Sequence, residues 1–269
     1  MITGAATALA VMMLAMAAAA LIAERTRRSG FVDGIWSLSS GFAGALSIGL
    51  AAGWTGRAVL VAGLIGLWAL RLGRHLLSRS FAHVGDDPRY AALRREWGEA
   101  APRRMFLFLQ TQALAGWLLA LSATAMASRP GPVDWQDGLG LFLALAAICG
   151  EGLADRTLNR FRREKPGAVC DRGLWGWSRH PNYFFEWLFW VGLALTGVGG
   201  LDLRSAGALL APAIMYALLV HVSGIPPLEA HMARSRGEAF AAYRRRVSAF
   251  FPWPSRTDAQ GESQRDRSR

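Results

Sequence analysis

The residues able to do chemistry in this chain fall into three groups, each set in or against strongly apolar sequence. The densest is the knot Ser178-Arg179-His180-Pro181-Asn182-Tyr183, followed by Glu186 inside the apolar run FFEWLFW. An ionisable group near a bilayer centre costs at least about 2.5 kcal/mol, so polar side chains kept in such a setting mark a candidate site. A histidine before proline is turned away from the helical region and proline suits a first helical turn, which predicts a helix starting at Pro181 or Asn182. Arg179 and His180 then stand at a helix N-terminus, where free N–H groups and the macrodipole favour an anion. Asn182 and Glu186, four apart, share a face with Tyr183 beside them. Taken singly these residues are a lipid-phosphate anchor, a helix cap and interfacial aromatics. Several polar types within one helical turn favour a binding site instead.

The second group is a stripe. Glu151, Asp155, Asn159 and Arg162 recur at helical spacing and lie on one face running out of an apolar segment. Two carboxylates, an amide and a guanidinium suit a polar ligand with ribose hydroxyls and phosphates: carboxylates accept from hydroxyl or amino groups, and arginine forks onto phosphate. The alternative is an intrahelical salt-bridge ladder. Arg160, Arg163, Lys165 and Arg172 surround the stripe with positive charge. The third group is Arg71, Arg74, His75 and Ser78, again on one helix face, with Asp33 at the mouth of the preceding apolar run, where a helix dipole alone would also favour an acid.

Apolar helices must position these groups. The chain has 269 residues, 52% of them hydrophobic, and a net charge of +11, which fits either a basic soluble protein or a membrane protein with basic loops. The distribution of charge decides between them. Uncharged runs cover Met1–Ala23, Gly34–Gly56, Met105–Ser128 and Ser205–Leu228, each long enough to cross about 30 Å of hydrocarbon, and three shorter apolar stretches lie at 58–70, 138–150 and 187–201. Seven spans divide the 30 basic residues into groups of 3, 8, 7 and 9 on one side and the single arginines Arg57, Arg129 and Arg204 on the other. The positive-inside rule then predicts an all-α, seven-helix polytopic bundle of the inner membrane, with the N-terminus out and the C-terminus cytoplasmic. The charge follows topology, so a nucleic-acid partner is not implied. The first run lacks a basic leader and reads as a retained anchor. Residues 1–253 read as one membrane domain and 254–269 as a disordered polar tail. Cys149 and Cys170 suggest neither a disulfide nor a metal framework. The segment from Glu229 to Arg246 reads as an amphipathic interfacial helix, with Phe250 to Trp253 returning to the interface.

Several of these residues together resemble a known group, the bacterial membrane proteins of the steroid 5α-reductase-like family, formerly a domain of unknown function (DUF1295). The shared elements are Val32-Asp33 with Trp36, RLGRHL at Arg71–Leu76 with Arg79, Asp87-Pro88-Arg89-Tyr90, Glu151 with Asp155, Lys165-Pro166-Gly167, GLWGWSRHPNYFFE and the segment from Tyr243 to Pro252. The resemblance implies a bundle whose cytoplasmic half binds NADPH and whose membrane half admits an apolar, steroid-like or lipid enone. Carried onto this chain, the cofactor positions are Glu151, Asp155, Arg162, Asn182, Glu186 and Tyr243, joined on residue chemistry by Lys165, Arg179, His180 and Tyr183. Hydride addition to an enone leaves negative charge on the carbonyl oxygen, which needs a donor. The family tyrosine that fills this role falls at Leu76, and its glutamine–glutamate pair is missing, with Asp33 the nearest acid. The donor candidates are therefore His75, Tyr90 and Asp33, with His75 favoured because imidazole can release a proton near neutral pH. Isoprenylcysteine and phospholipid methyltransferases share the Arg-His-Pro-x-Tyr knot and use S-adenosylmethionine, which makes them the rival class. The basic residues around the stripe suit a polyphosphate better than a sulfonium.

Overall fold

A computed structural model describes residues 2–82 and 85–255, so most of the expected disordered tail lies outside the described residues. Among them the secondary structure is helical: α1 (Ile2–Thr26), α2 (Val32–Ala52), α3 (Gly56–Ala82), α4 (Pro88–Trp97), α5 (Ala101–Ala127), α6 (Trp135–Glu164), α7 (Pro181–Gly197), α8 (Leu203–Tyr216) and α9 (Ile225–Arg246). Among the described residues six helical stretches are long and apolar enough to cross a membrane. The chain is thus a membrane-spanning helical protein. α7 has 17 residues, short of the roughly 20 that a perpendicular span needs. The chain divides into two compact units, one formed by Met1–Leu141 and Gly192–Ala211, the other by Phe142–Val191 and Pro212–Arg269.

The first unit is held by small residues. Ala8, Met12, Met16, Ala19 and Ala23 form the buried seam of α1, at steps of three and four. In lipid no hydrophobic effect drives helices together, so close backbone approach takes its place. Gly41 of α2 faces Ala69 of α3 so closely that a Cβ there would overlap its methyl group. Hydroxyls supply the polar links: Ser47 and Thr124 pair at 2.8 Å. Pro212 inside α8 cannot donate to the carbonyl four residues earlier. Ser122 Oγ, from α5, lies 3.1 Å from that carbonyl of Ala208 and 2.8 Å from that of Gly207, and accepts from Ala211 N at 3.0 Å. The backbone group freed by proline is thereby satisfied without water.

Charged residues of this unit gather where helices end. Arg57, at the start of α3, donates to both oxygens of Asp137 at 2.8 Å each and to the carbonyls of Arg129, Gly131 and Pro132. At the α1–α2 and α3–α4 connections, Arg94 donates to Glu24 at 2.9 Å, and Asp87 caps α4 by accepting from Arg89 N at 2.9 Å. Pro88 sits in the first turn of α4, where it costs no hydrogen bond.

In the second unit, α8 passes into a π-helical turn, Ala217–Val222, and α9 follows. α9 carries seven charged residues, from Glu229 to Arg246, and lies outside the apolar span. It is bent at Gly237, whose φ of 48° is left-handed and favours glycine. Phe184, Trp187, Tyr216 and Phe250 form an aromatic cluster with ring centroids 5.5 to 6.1 Å apart.

Candidate functional site

The knot is built by local rules and then fastened by distant ones. α7 begins at Pro181, as the His-Pro step predicts, and Phe184 N bonds His180 O at 3.1 Å, which puts His180 at the helix cap. Before it a 3-10 turn, Gly173–Gly176, brings in Trp175, whose indole donates to Ala154 O of α6 at 3.0 Å. The C-terminal segment then runs alongside. Arg179 N bonds Ser248 O at 2.8 Å, Trp253 N bonds Trp177 O at 3.0 Å, and Ser178 Oγ donates to Phe250 O at 2.8 Å. Tyr243 OH donates to Trp175 O at 2.6 Å. Helix start, 3-10 turn and chain end are one hydrogen-bonded unit.

Its electrostatic centre is Glu229. The carboxylate accepts from Arg179 Nε at 2.8 Å and meets His180 Nε2 at 3.1 Å, with Arg244 Nε at 3.4 Å. Burial opposes the charged form, but hydrogen bonds from His180 and Arg179 outweigh it and hold the Glu229 carboxyl at about 2. Arg179 also donates to Val247 O at 2.6 Å and to Arg244 O at 3.4 Å, near the C-terminus of α9, where carbonyls lack helical partners. Burial is the main influence on His180 and lowers its pKa; Glu229 raises it and Arg179 lowers it further. The ring is thus neutral at pH 7. Its partner Glu229 assigns the proton to Nε2, which leaves Nδ1 as an acceptor. That nitrogen is buried and has no hydrogen-bond partner among the described residues, on a side chain only 5% exposed. Tyr183 stacks on the ring at 5.5 Å, with 10° between the planes.

All ten expected cofactor residues fall in the second unit. Glu151 is buried on α6, Asp155 is half-buried, and Arg162 and Lys165 are exposed at and just beyond its end. Glu186 is buried and accepts from Trp190 Nε1 at 3.3 Å. Asn182 is half-buried and its amide has no hydrogen bond among the described residues. Arg179 and Tyr243 hold the protein together: the first is spent on Glu229 and carbonyls, the second on Trp175 O.

The three expected donors fall in the first unit. Tyr90 OH donates to Asp33 Oδ1 at 3.0 Å, Arg89 Nη2 to Asp33 Oδ2 at 2.6 Å, and Gln112 Nε2 to Tyr90 OH at 3.4 Å. Both Asp33 oxygens therefore act as acceptors, and the cluster ties α2, α4 and α5. His75 is half-buried on α3, and its carbonyl accepts from Ser78 Oγ at 2.8 Å.

The residue that sequence reasoning left out of the site is Glu229. It stands two residues after Pro226-Pro227 as the first acid in a helix rich in arginine, and that isolation was its only local signal. Comparison with curated proteins and with solved structures returns no match. A family model, described as a protein of unknown function (DUF1295), matches residues 19–247, from the last turns of α1 to just past the end of α9. The chain belongs to that family.

Proposed function

We propose that the chain is an inner-membrane oxidoreductase with seven spans, N-terminus out and C-terminus cytoplasmic, which uses NADPH to reduce the carbon–carbon double bond of an apolar, steroid-like or lipid enone. The carrying observation is a buried acceptor, His180 Nδ1, without a partner among the described residues, two positions before Asn182, whose half-buried amide also makes no hydrogen bond among them. A neutral imidazole fixed by Glu229 and an adjacent amide are suited to ribose hydroxyls or an exocyclic amino group. A buried polar atom without a partner costs about 1–3 kcal/mol, a cost a ligand donor removes on binding.

The residues present fit a dinucleotide with phosphates. Arg162 and Lys165 supply exposed positive charge for phosphates, and Asp155 and Glu186 supply carboxylates. When bound, NADPH supplies the hydride. The chain's part is to hold the nucleotide, and His75 is the proposed proton donor to the carbonyl oxygen of the enone on the chemistry of its side chain alone. Resemblance to the reductases supports the reaction class. The basic residues after the stripe support NADPH over S-adenosylmethionine.

Calorimetry on the full chain in detergent, with NADPH and S-adenosylmethionine side by side, tests the reading. Saturable binding of NADPH alone is expected; binding of S-adenosylmethionine alone overturns it in favour of a methyltransferase. Topology has its own test. A phosphatase active only in the periplasm should be silent when fused at the C-terminus and active when fused after Arg129, and the reverse pattern overturns the orientation.

A further inference from the structure

On the second unit, Arg244, Arg245, Arg246, Val247, Ser248, Trp253 and Pro254 enclose an open cavity of ≈ 450 Å³. No carboxylate lines it among the described residues. Each arginine has an acid at some distance: Arg244 Nε is 3.4 Å from Glu229, Arg245 Nη2 3.2 Å from Glu238, and Arg246 Nη2 3.7 Å from Asp171. None of these competes strongly for the cavity. Glu229 is already held by Arg179 and His180, while Glu238 and Asp171 are exposed, where an ion pair contributes little. Three guanidinium groups and the Ser248 hydroxyl thus converge with spare donors, which suits a phosphate.

The surroundings say which phosphate. Trp253 is 71% exposed, Trp177 54% and Phe251 49%, and the backbones of Trp253 and Trp177 are joined at 3.0 Å. Exposed aromatics beside arginines are the arrangement found where protein meets headgroups, the ring lying at the glycerol level and the cation on the phosphate. A free nucleotide would find no need of an exposed aromatic rim, whereas a membrane-spanning protein always has lipid beside it. We infer that this cavity binds the headgroup of an anionic phospholipid, with Arg245 and Arg246 on the phosphate and Trp253 against the glycerol.

The test uses the full chain in a neutral detergent, titrated calorimetrically with dihexanoyl-phosphatidylglycerol, dihexanoyl-phosphatidylcholine, inorganic phosphate and NADPH. The anionic lipid should bind at least about tenfold tighter than the zwitterionic one and than inorganic phosphate, because headgroup and glycerol both contribute. Arg245→Gln, which disturbs only an exposed pair, should weaken it about fivefold, and Arg245→Gln with Arg246→Gln about twenty-fivefold. Trp253→Ala should weaken the anionic lipid while leaving inorganic phosphate unchanged. Equal affinity for the two lipids, or an Arg245→Gln variant that binds as wild type, overturns the inference. So does displacement of the lipid by NADPH, which would assign the cavity to the nucleotide.

Discussion

Arg57 reaches a buried carboxylate and Arg179 a half-buried one, each together with the carbonyls of a nearby chain segment, but only the first arrangement is closed. Arg57 is 2% exposed and Asp137 0%, and every N–H of the guanidinium has an acceptor: two go to the carboxylate and three to carbonyls. Asp137 Oδ2 accepts in addition from Arg129 Nη2 and Asp134 N, each at 2.9 Å. The Arg57–Asp137 pair itself has no donor or acceptor to spare, although Arg129 Nε beside it is buried without a hydrogen bond among the described residues. Around Arg179 the same elements leave a remainder. Glu229 is shared among Arg179, His180 and Arg244, and the histidine it orients keeps a buried nitrogen without a partner among the described residues. A saturated polar cluster is a fastener, and a fastened cluster with unmet capacity is a candidate site.

The largest expected effect breaks the closed member. Asp137→Asn leaves the Arg57 guanidinium buried without its counter-charge, which costs about 3–5 kcal/mol. Thermal unfolding in detergent should show it as a large fall in Tm; a loss below about 1 kcal/mol would mean that the pair is no more than a surface contact. Next is Glu229→Gln, which should lower stability by about 1.5–3 kcal/mol, since charge-assisted bonds to Arg179 are weakened, and should also cost NADPH affinity because His180 loses the partner that sets its tautomer. Loss of stability with unchanged affinity would make the Arg179 cluster a second fastener.

Acid should separate the two clusters further. His180 is depressed by burial, so the stability it contributes is complete above the ordinary imidazole range near 6.5 and is lost as pH falls below it toward the folded value. Glu229 acts in the same direction lower down: its contribution is present above the ordinary carboxyl value of 4.5 and is lost as pH falls toward about 2. Hydrogen-exchange protection at residues 178–184, taken relative to the intrinsic rate at each pH, should therefore fall between pH 7 and 5 in wild type, and His180→Asn should flatten that part of the profile. A flat wild-type profile refutes a buried neutral histidine. The smallest effect on stability is expected of Asn182→Ala, within about 0.5 kcal/mol because the amide makes no hydrogen bond among the described residues. Its NADPH affinity should nonetheless fall roughly tenfold, the value of one hydrogen bond near 1.4 kcal/mol, and unchanged affinity removes Asn182 from the site.

Much of the knot was legible in the sequence, because its signals are local. The His-Pro step set the start of α7. The stripe on α6 follows from periodicity alone. Roles were less legible than positions. Arg179 looked like an anion ligand because its residue type and helix-end location permit that, yet its partners are Glu229, Arg244 and Val247, 50 to 68 residues further on. Asp33 stands in the first turn of α2, as its position in the sequence suggests, but only the structure shows that it is also the acceptor that Arg89 and Tyr90 share.

The sequence by itself determined that the chain is a set of apolar helices with basic connections, since hydrophobic length and residue spacing act within one element. It also marked where polar side chains interrupt those helices. Only the tertiary structure decided which of these polar groups are spent on the protein. A buried donor or acceptor must find a partner, and the choice among partners depends on which segments lie alongside, a relation between residues far apart in the chain. Glu229 became the centre of the knot, and His180 Nδ1 its open end, through contacts about 50 residues long.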